Sequence, residues 1–485
     1  MIRKIKNLFF FETKTIRGTI FKNFIWLFTG NVGSRLLKAV IVIYAARKLG
    51  VEGYGVFSYA LGLAGFFVFF KNIGVDSILT REVAKQPEKE HYYFSTAFWI
   101  EIVLLVITAF LIIFIAPFFS GVEGAILLLP FVALILIFDD LKDFFVAFFR
   151  GKNRMDLEAF VVVAVNIALA LFGFIALYFW ASPKSFTISN MIASFIGVIV
   201  ATFLLKPFIR GISKNFSKNL IMPILKSAWP FAIGGFASTF LFNVDIIMLG
   251  WWRGVDEIGL YSATQKIVGI FAIFPGFIAT ATLPSLSLLA HSDPLKIKNV
   301  LEGSFKIIFI ISFPLVIGGI LLSGQIMGFL FGPSYLPATG AFIILLISIL
   351  AVHIMPILTN LLFIFDKQAK TINYAIIVSI CNIALNFLLI PNYGIEGAAL
   401  ATLISFFIYA FLLWQIGKKI YNFKIFSGLI KPVIAALIMG FFTYILEIIG
   451  IHIIINIIFS SVLYFFTLYL FKEKVLEEIL TIIKR

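Results

Sequence analysis

The chain has 485 residues, 61% of them hydrophobic and 13% charged, whereas soluble domains run at roughly 45–50% apolar and 25% charged. That much apolar surface has no place in a water-soluble core, which excludes a soluble enzyme or binding module. The net charge of +15 is dispersed along the chain rather than gathered into one segment, so it matches anionic lipid headgroups and not nucleic acid.

In chain order, residues 1–21 mix basic residues with Phe9, Phe10 and Phe11, the pattern of a cytoplasmic, interfacial N-terminal segment. It is not a cleavable signal, because the first apolar run is long and carries Arg35 and Lys38. A bilayer core of about 30 Å takes roughly 20 mainly apolar helical residues. Runs of that kind fall near residues 22–46, 54–80, 92–116, 125–149, 157–180 and 186–206. After a linker at 207–225 they resume near 226–250, 257–288, 300–322, 337–365, 370–390 and 395–417, with a last pair near 428–449 and 451–471 and a tail at 472–485. Barrel strands would alternate strictly, and in lipid only helices or closed barrels satisfy the backbone. The expected fold is therefore an all-α polytopic membrane protein of about 14 transmembrane helices. Cys381, the single cysteine, falls inside a span, which leaves no intramolecular disulfide or cysteine metal cluster.

Basic residues crowd into alternate loops. Arg81, Lys85 and Lys89 share one, Arg150, Lys152 and Arg154 another, and Lys418, Lys419 and Lys424 a third. About 30 of the 39 basic residues fall on one side, which by the positive-inside rule puts both termini in the cytoplasm and makes the number of spans even.

Two internal echoes divide the spans. Leu49 to Ala60, LGVEGYGVFSYA, aligns with Arg253 to Thr264, RGVDEIGLYSAT, matching Gly50 with Gly254 and Gly55 with Gly259. The tetrapeptide NIAL recurs at Asn166–Leu169 and Asn382–Leu385, in the fifth helix of each group. The pattern predicts an N-lobe at 22–206 (helices 1–6), a C-lobe at 226–417 (helices 7–12) and two additional helices at 428–471. A repeat of six helices runs parallel, so the lobes are expected about a pseudo-twofold along the membrane normal.

The phrases NVGSRLLKAVIVIYAARKLGVEGYGVFSYA, NIGVDSILTREVAK, NVDIIMLGWWRGVDEIGLYSATQKI and PNYGIEGAALATLIS resemble the polysaccharide-biosynthesis flippases. These are the Wzx-type O-antigen transporters of the multidrug/oligosaccharidyl-lipid/polysaccharide exporter superfamily. The resemblance runs over nearly the whole chain. It implies alternating access for a polyisoprenyl-diphosphate-linked oligosaccharide, passed from the inner to the outer leaflet of the cytoplasmic membrane. The chain is further expected to be a monomer among membrane lipids, with polysaccharide polymerase or assembly proteins as partners and no cofactor, H+ or Na+ coupling being one of two roles open to its membrane acids.

Ionisable residues inside spans cost about 2.5–3.5 kcal/mol on insertion scales and mark sites. Arg35 and Lys38 lie mid-span in the first helix, Lys71 in the second and Lys266 in the eighth. Facing a water-filled cavity they suit a diphosphate, Arg by bidentate contacts and Lys as point charges. The opposing reading is pairing with acids, for which Asp139, Asp140, Lys142 and Asp143 in the fourth span are placed at helical spacing. Asp76 and Asp245 are expected either to couple an ion or to pair. The four histidines are scattered, so no metal site is expected. Two other classes compete: a drug or organic-cation exporter of the same superfamily, which a cationic cavity disfavours, and a membrane polymerase or transferase, which needs a larger loop or domain than any here.

Overall fold

The computed structural model describes residues 16–71, 73–272, 274–290, 294–473 and 475; the expected N-terminal segment lies outside these residues up to position 15. Among the described residues every regular element is helical. The longer helices are α1 (Ile16–Phe67), α2 (Val75–Lys85), α3 (Glu90–Phe110), α4 (Leu129–Gly151), α5 (Met155–Phe179), α6 (Pro183–Leu204) and α7 (Lys218–Trp252). They continue as α8 (Val255–Phe271), α9 (Phe274–Leu289), α10 (Pro294–Leu321), α11 (Ser323–Phe331), α12 (Thr339–Ile364), α13 (Gln368–Ile420), α14 (Ile430–Ile448) and α15 (Ile453–Leu470).

Ten stretches among the described residues are long and apolar enough to cross a membrane. Two of them, 33–70 and 368–420, break at Gly50 and Gly394 and supply two passes each. α4 and α7, of 23 and 35 residues, bring the number to the expected fourteen. Hydropathy undervalues α4 because Asp139, Asp140, Lys142, Asp143 and Arg150 all ride on it.

The breaks have a backbone cause. Gly50 has φ 69° and ψ −178°, and Gly394 has φ 54° and ψ −128°, conformations that a Cβ disfavours. In α13 the break is a hairpin, since Asn382 Nδ2 before it donates to Ser405 Oγ after it at 3.1 Å. Each new helix then opens with an acid, Glu52 after Gly50 and Glu396 after Gly394, where the macrodipole favours negative charge. Gly254, the partner of Gly50 in the sequence echo, caps α8 with ψ 162°, and Asp256 and Glu257 fill the first turn. The echo therefore marks equivalent helix junctions.

The chain forms two compact units, Met1–Trp251 and Trp252–Arg485. Packing thus groups α7 with the helices before it, whereas the repeat pattern groups it with those after. In the first unit α5 lies against α1 and α6, α6 against α4, and α2 against α3 and α4. An aromatic core ties one end of it: Phe148 stands 4.7 Å from both Phe94 and Phe208 between ring centroids, with Phe144, Phe145 and Phe149 packed around them. Lys152 pairs with Glu90 at 2.9 Å and Arg150 with Glu158 at the margin.

In the second unit α12 is central, touching α8, α9, α10 and α13. His353 on α12 joins two of these, its Nδ1 lying 2.7 Å from Ser312 Oγ on α10 and its Nε2 3.1 Å from the Phe271 carbonyl at the end of α8. The last pair, α14 and α15, packs together and on α10. α15 is inside-out relative to a soluble helix. Asn456, Ser460, Tyr464 and Thr467 are buried, while Ile458, Phe459, Val462 and Phe466 are exposed. Thr443 Oγ1 donates to Ser460 Oγ, Ser460 Oγ to Asn456 Oδ1, and Tyr464 OH to the Ile310 carbonyl at 2.8 Å. Polar contacts between helices with apolar residues outward are what lipid as solvent selects.

Candidate functional site

The first unit holds a cavity of about 210 Å³ among α1, α4, α5 and α6. α1 contributes Ser34, Arg35 and Lys38, successive positions of one helical face; α4 contributes Asp139 and Lys142; α5 and α6 contribute Asn166 and Asn190. Arg35 stands 15 residues before the break at Gly50, about 22 Å along the helix at 1.5 Å per residue, too deep for its guanidinium to snorkel out readily. The cavity is smaller than the roughly 300–1,000 Å³ of a drug-sized site. It suits a compact polar headgroup.

Local sequence explains how the walls meet. A Cβ at Gly197 of α6 would lie 2.5 Å from Val165 Cγ2 on α5 and 3.1 Å from Lys142 Cδ on α4. Glycine there lets α5 approach and the Lys142 stem lie along α6. The Lys142 ammonium is then held by Asp139 at 3.1 Å and Asp143 at 3.4 Å. Arg35 and Lys38 have no carboxylate partner among the described residues. The cavity therefore carries two unneutralised cations, where a hydrogen bond to a charged group is worth about 1.5–3 kcal/mol.

Lys71 has a different setting. It sits where the helix carried on from α1 is interrupted, ahead of Gly74 at φ 92°, and is 3% exposed. Its Nζ lies 3.3 Å from Asp76 of α2, 3.2 Å from Glu101 of α3 and 3.4 Å from Asp140 of α4. One ammonium thus knits three helices by binding a carboxylate from each. A diphosphate would have to displace those three acids to reach it, and Lys71 does not line the cavity of Arg35 and Lys38. Of the remaining expected residues, Asp245 is buried near the end of α7, with Oδ1 accepting from the Ile246 amide. Lys266, on α8, belongs to the second unit and is exposed.

Sequence reasoning missed Glu101, although a lone acid within the apolar run WIEIVLL is the signal that buried charge gives. It also passed over Ser34 and Asn190, whose polarity is unremarkable until their helices are placed together, and it noted Asn166 only as a repeat marker.

Comparison with known proteins agrees with this architecture. Residues 20–289 match the family model described as polysaccharide biosynthesis protein. A probable flippase, AglR, of Haloferax volcanii is 24% identical over 78% of this chain and 79% of its own length. A putative O-antigen transporter of Shigella flexneri is 24% identical over 81% of this chain and 97% of its own. Among solved structures, the lipid II flippase MurJ in an inward closed conformation superposes with a TM-score of 0.75 at 21% identity, covering 93% of this chain and 99% of that one. With more than half of its length matched by the family model, and a fourteen-helix fold shared with a flippase, the chain belongs to the polysaccharide biosynthesis protein family.

Proposed function

We propose that the chain is a flippase that moves a polyisoprenyl-diphosphate-linked oligosaccharide from the inner to the outer leaflet of the cytoplasmic membrane by alternating access. The observation that carries this reading is the pair of unneutralised cations, Arg35 and Lys38, at a cavity set deep among apolar spans. Such a site repels organic cations and attracts a diphosphate, for which Arg offers a planar bidentate fork. The relatives named flippase and O-antigen transporter support the cargo class. The basic residues of alternate loops support cytoplasmic termini. The Lys71 cluster, with one ammonium among three carboxylates, has negative charge to spare for a proton or Na+ and is the place where coupling to an ion gradient fits this reading.

The test is flipping of a fluorescent short-chain polyprenyl-diphosphate saccharide by purified protein in liposomes. Replacing Arg35 and Lys38 together by alanine is expected to lower the rate by about 100-fold or more, two charged hydrogen bonds at about 1.5–3 kcal/mol each being removed. Lys89→Ala, at an exposed loop position, is expected to flip like the unmodified protein. Unchanged flipping by the double variant would remove the diphosphate from this cavity.

A further inference from the structure

Beside the two cations, the same cavity presents an array of hydrogen-bond acceptors that a diphosphate cannot use. Asn166 Nδ2 donates to the Val162 carbonyl at 2.8 Å, and Asn190 Nδ2 to the Phe186 carbonyl at 2.8 Å. A backbone carbonyl only accepts, so each bond fixes which end of the amide is nitrogen. The amide oxygens are thereby left as the free ends of two side chains that line the cavity. Both are acceptors, as are the oxygens of Asp139 on the facing helix. Phosphate oxygens are acceptors too and gain nothing from them.

Ser34 gives a second and independent sign. It lines the cavity and is 4% exposed, yet its Oγ has no hydrogen-bond partner. A buried hydroxyl left unsatisfied is unfavourable and calls for explanation. Among the described residues the buried Ser58 and Ser262 also lack a partner but do not line this cavity, whereas Ser189, Ser304 and Ser379 avoid the problem by bonding back to a carbonyl four residues earlier. Ser34 does not.

The repeat supplies the contrast. Asn382, the counterpart of Asn166 in the NIAL echo, is buried in a closed network, donating to Ser405 Oγ at 3.1 Å and accepting from Asn386 Nδ2 at 3.0 Å. Asparagine at this position can therefore be consumed wholly by packing. In the first unit Asn166 lines a cavity instead, with its Nδ2 spent on the Val162 carbonyl.

Building on the flippase reading, we infer that Asn166, Asn190 and Ser34 form a sugar subsite that binds the phosphate-proximal monosaccharide of the cargo through its hydroxyl donors. The cations hold the diphosphate at the same time. Sugar hydroxyls donate to the two amide oxygens, and the Ser34 hydroxyl has a ring or hydroxyl oxygen to donate to. The cavity volume of about 210 Å³ confines recognition to the headgroup's first sugar, and the rest of the glycan lies outside this subsite.

Two soluble probes separate the subsite from the reading it rests on: geranyl diphosphate, and geranyl diphosphate bearing one glucose, each titrated calorimetrically against full-length protein in nanodiscs. Unmodified protein is expected to bind the glucosylated probe at least 10-fold more tightly than the bare one. The variant Asn166→Leu/Asn190→Leu, close in volume, is expected to lose that preference while binding bare geranyl diphosphate within twofold of the unmodified protein. Ser34→Ala removes a hydroxyl that bonds nothing in the fold, so folding is left intact, and it is expected to reduce the sugar preference about threefold. The subsite is overturned if glucose adds no affinity in the unmodified protein, or if Ser34→Ala and the asparagine variant both retain the full preference. Equal weakening of both probes by the asparagine variant also overturns it, since that marks a structural role. If unmodified protein binds neither probe, the diphosphate reading itself fails.

Discussion

Lys71→Met is expected to destabilise the protein by about 3–5 kcal/mol, the cost of removing one partner from a buried ion pair and leaving the other uncompensated. Here three carboxylates are stranded rather than one. Asp76, Glu101 and Asp140 come from α2, α3 and α4 and meet only through the Lys71 ammonium, at 3.2 to 3.4 Å. Glu101 is fully buried and has no hydrogen bond from any other donor. With the ammonium gone, mutual repulsion of the acids pushes the three helices apart where water cannot readily enter. Thermal unfolding followed in detergent should show a large fall in the midpoint. Adding Glu101→Gln and Asp140→Asn to Lys71→Met should recover most of it, because the stranded charge goes with them. If Lys71 instead served the cargo, Lys71→Met would melt like the unmodified protein and lose only diphosphate binding, and the neutralised triple variant would be no more stable than the single one.

Much of this architecture is visible in the sequence for a simple reason: lipid imposes its demands locally. A span must be about 20 residues long and apolar throughout, so hydropathy finds it without knowledge of its neighbours. The pairing of Lys142 with Asp139 is equally local, three residues apart on one helix. The Gly50 and Gly254 echo finds two helix junctions because a break must be encoded where it occurs. The partners of Lys71 are another matter. They lie 5, 30 and 69 residues further along, and depth in a span says that a charge needs a partner without saying which. That is why Lys71 reads from sequence as one of four anion-binding cations, while the structure surrounds it with acids. The cavity of Arg35 is hidden for the same reason. Ser34, Asn166 and Asn190 come from α1, α5 and α6, and close approaches at Gly197, of α6 to α5, and at Gly173, of α5 to α1, bring their walls together.

A second large effect is expected at Gly250, near the end of α7. A Cβ built there would lie 2.0 Å from Tyr59 Cε2 and 2.7 Å from Cζ, far inside contact distance. The ring has little room to yield. Tyr59 is fully buried, and its hydroxyl accepts from the Gly121 amide at 3.0 Å; a Cβ on Gly121 would in turn meet the Gly250 carbonyl oxygen at 2.0 Å. Gly250→Ala must therefore move either the end of α7 or the tyrosine together with the loop it holds. Overpacking of this kind costs about 1–3 kcal/mol, and more where nothing can shift. Tyr59→Ala is also expected to be destabilising, by the cavity it leaves, at about 3–5 kcal/mol for a large aromatic. The two should not add. Once the ring is gone the alanine methyl enters vacated space, so Gly250→Ala in the Tyr59→Ala background should cost almost nothing or restore some stability, a coupling of roughly 0.5–3 kcal/mol for side chains in direct contact. A thermal-unfolding cycle of the four proteins measures that coupling directly. Strict additivity would mean that α7 does not rest on Tyr59, and the grouping of α7 with the first unit would lose one of its contacts.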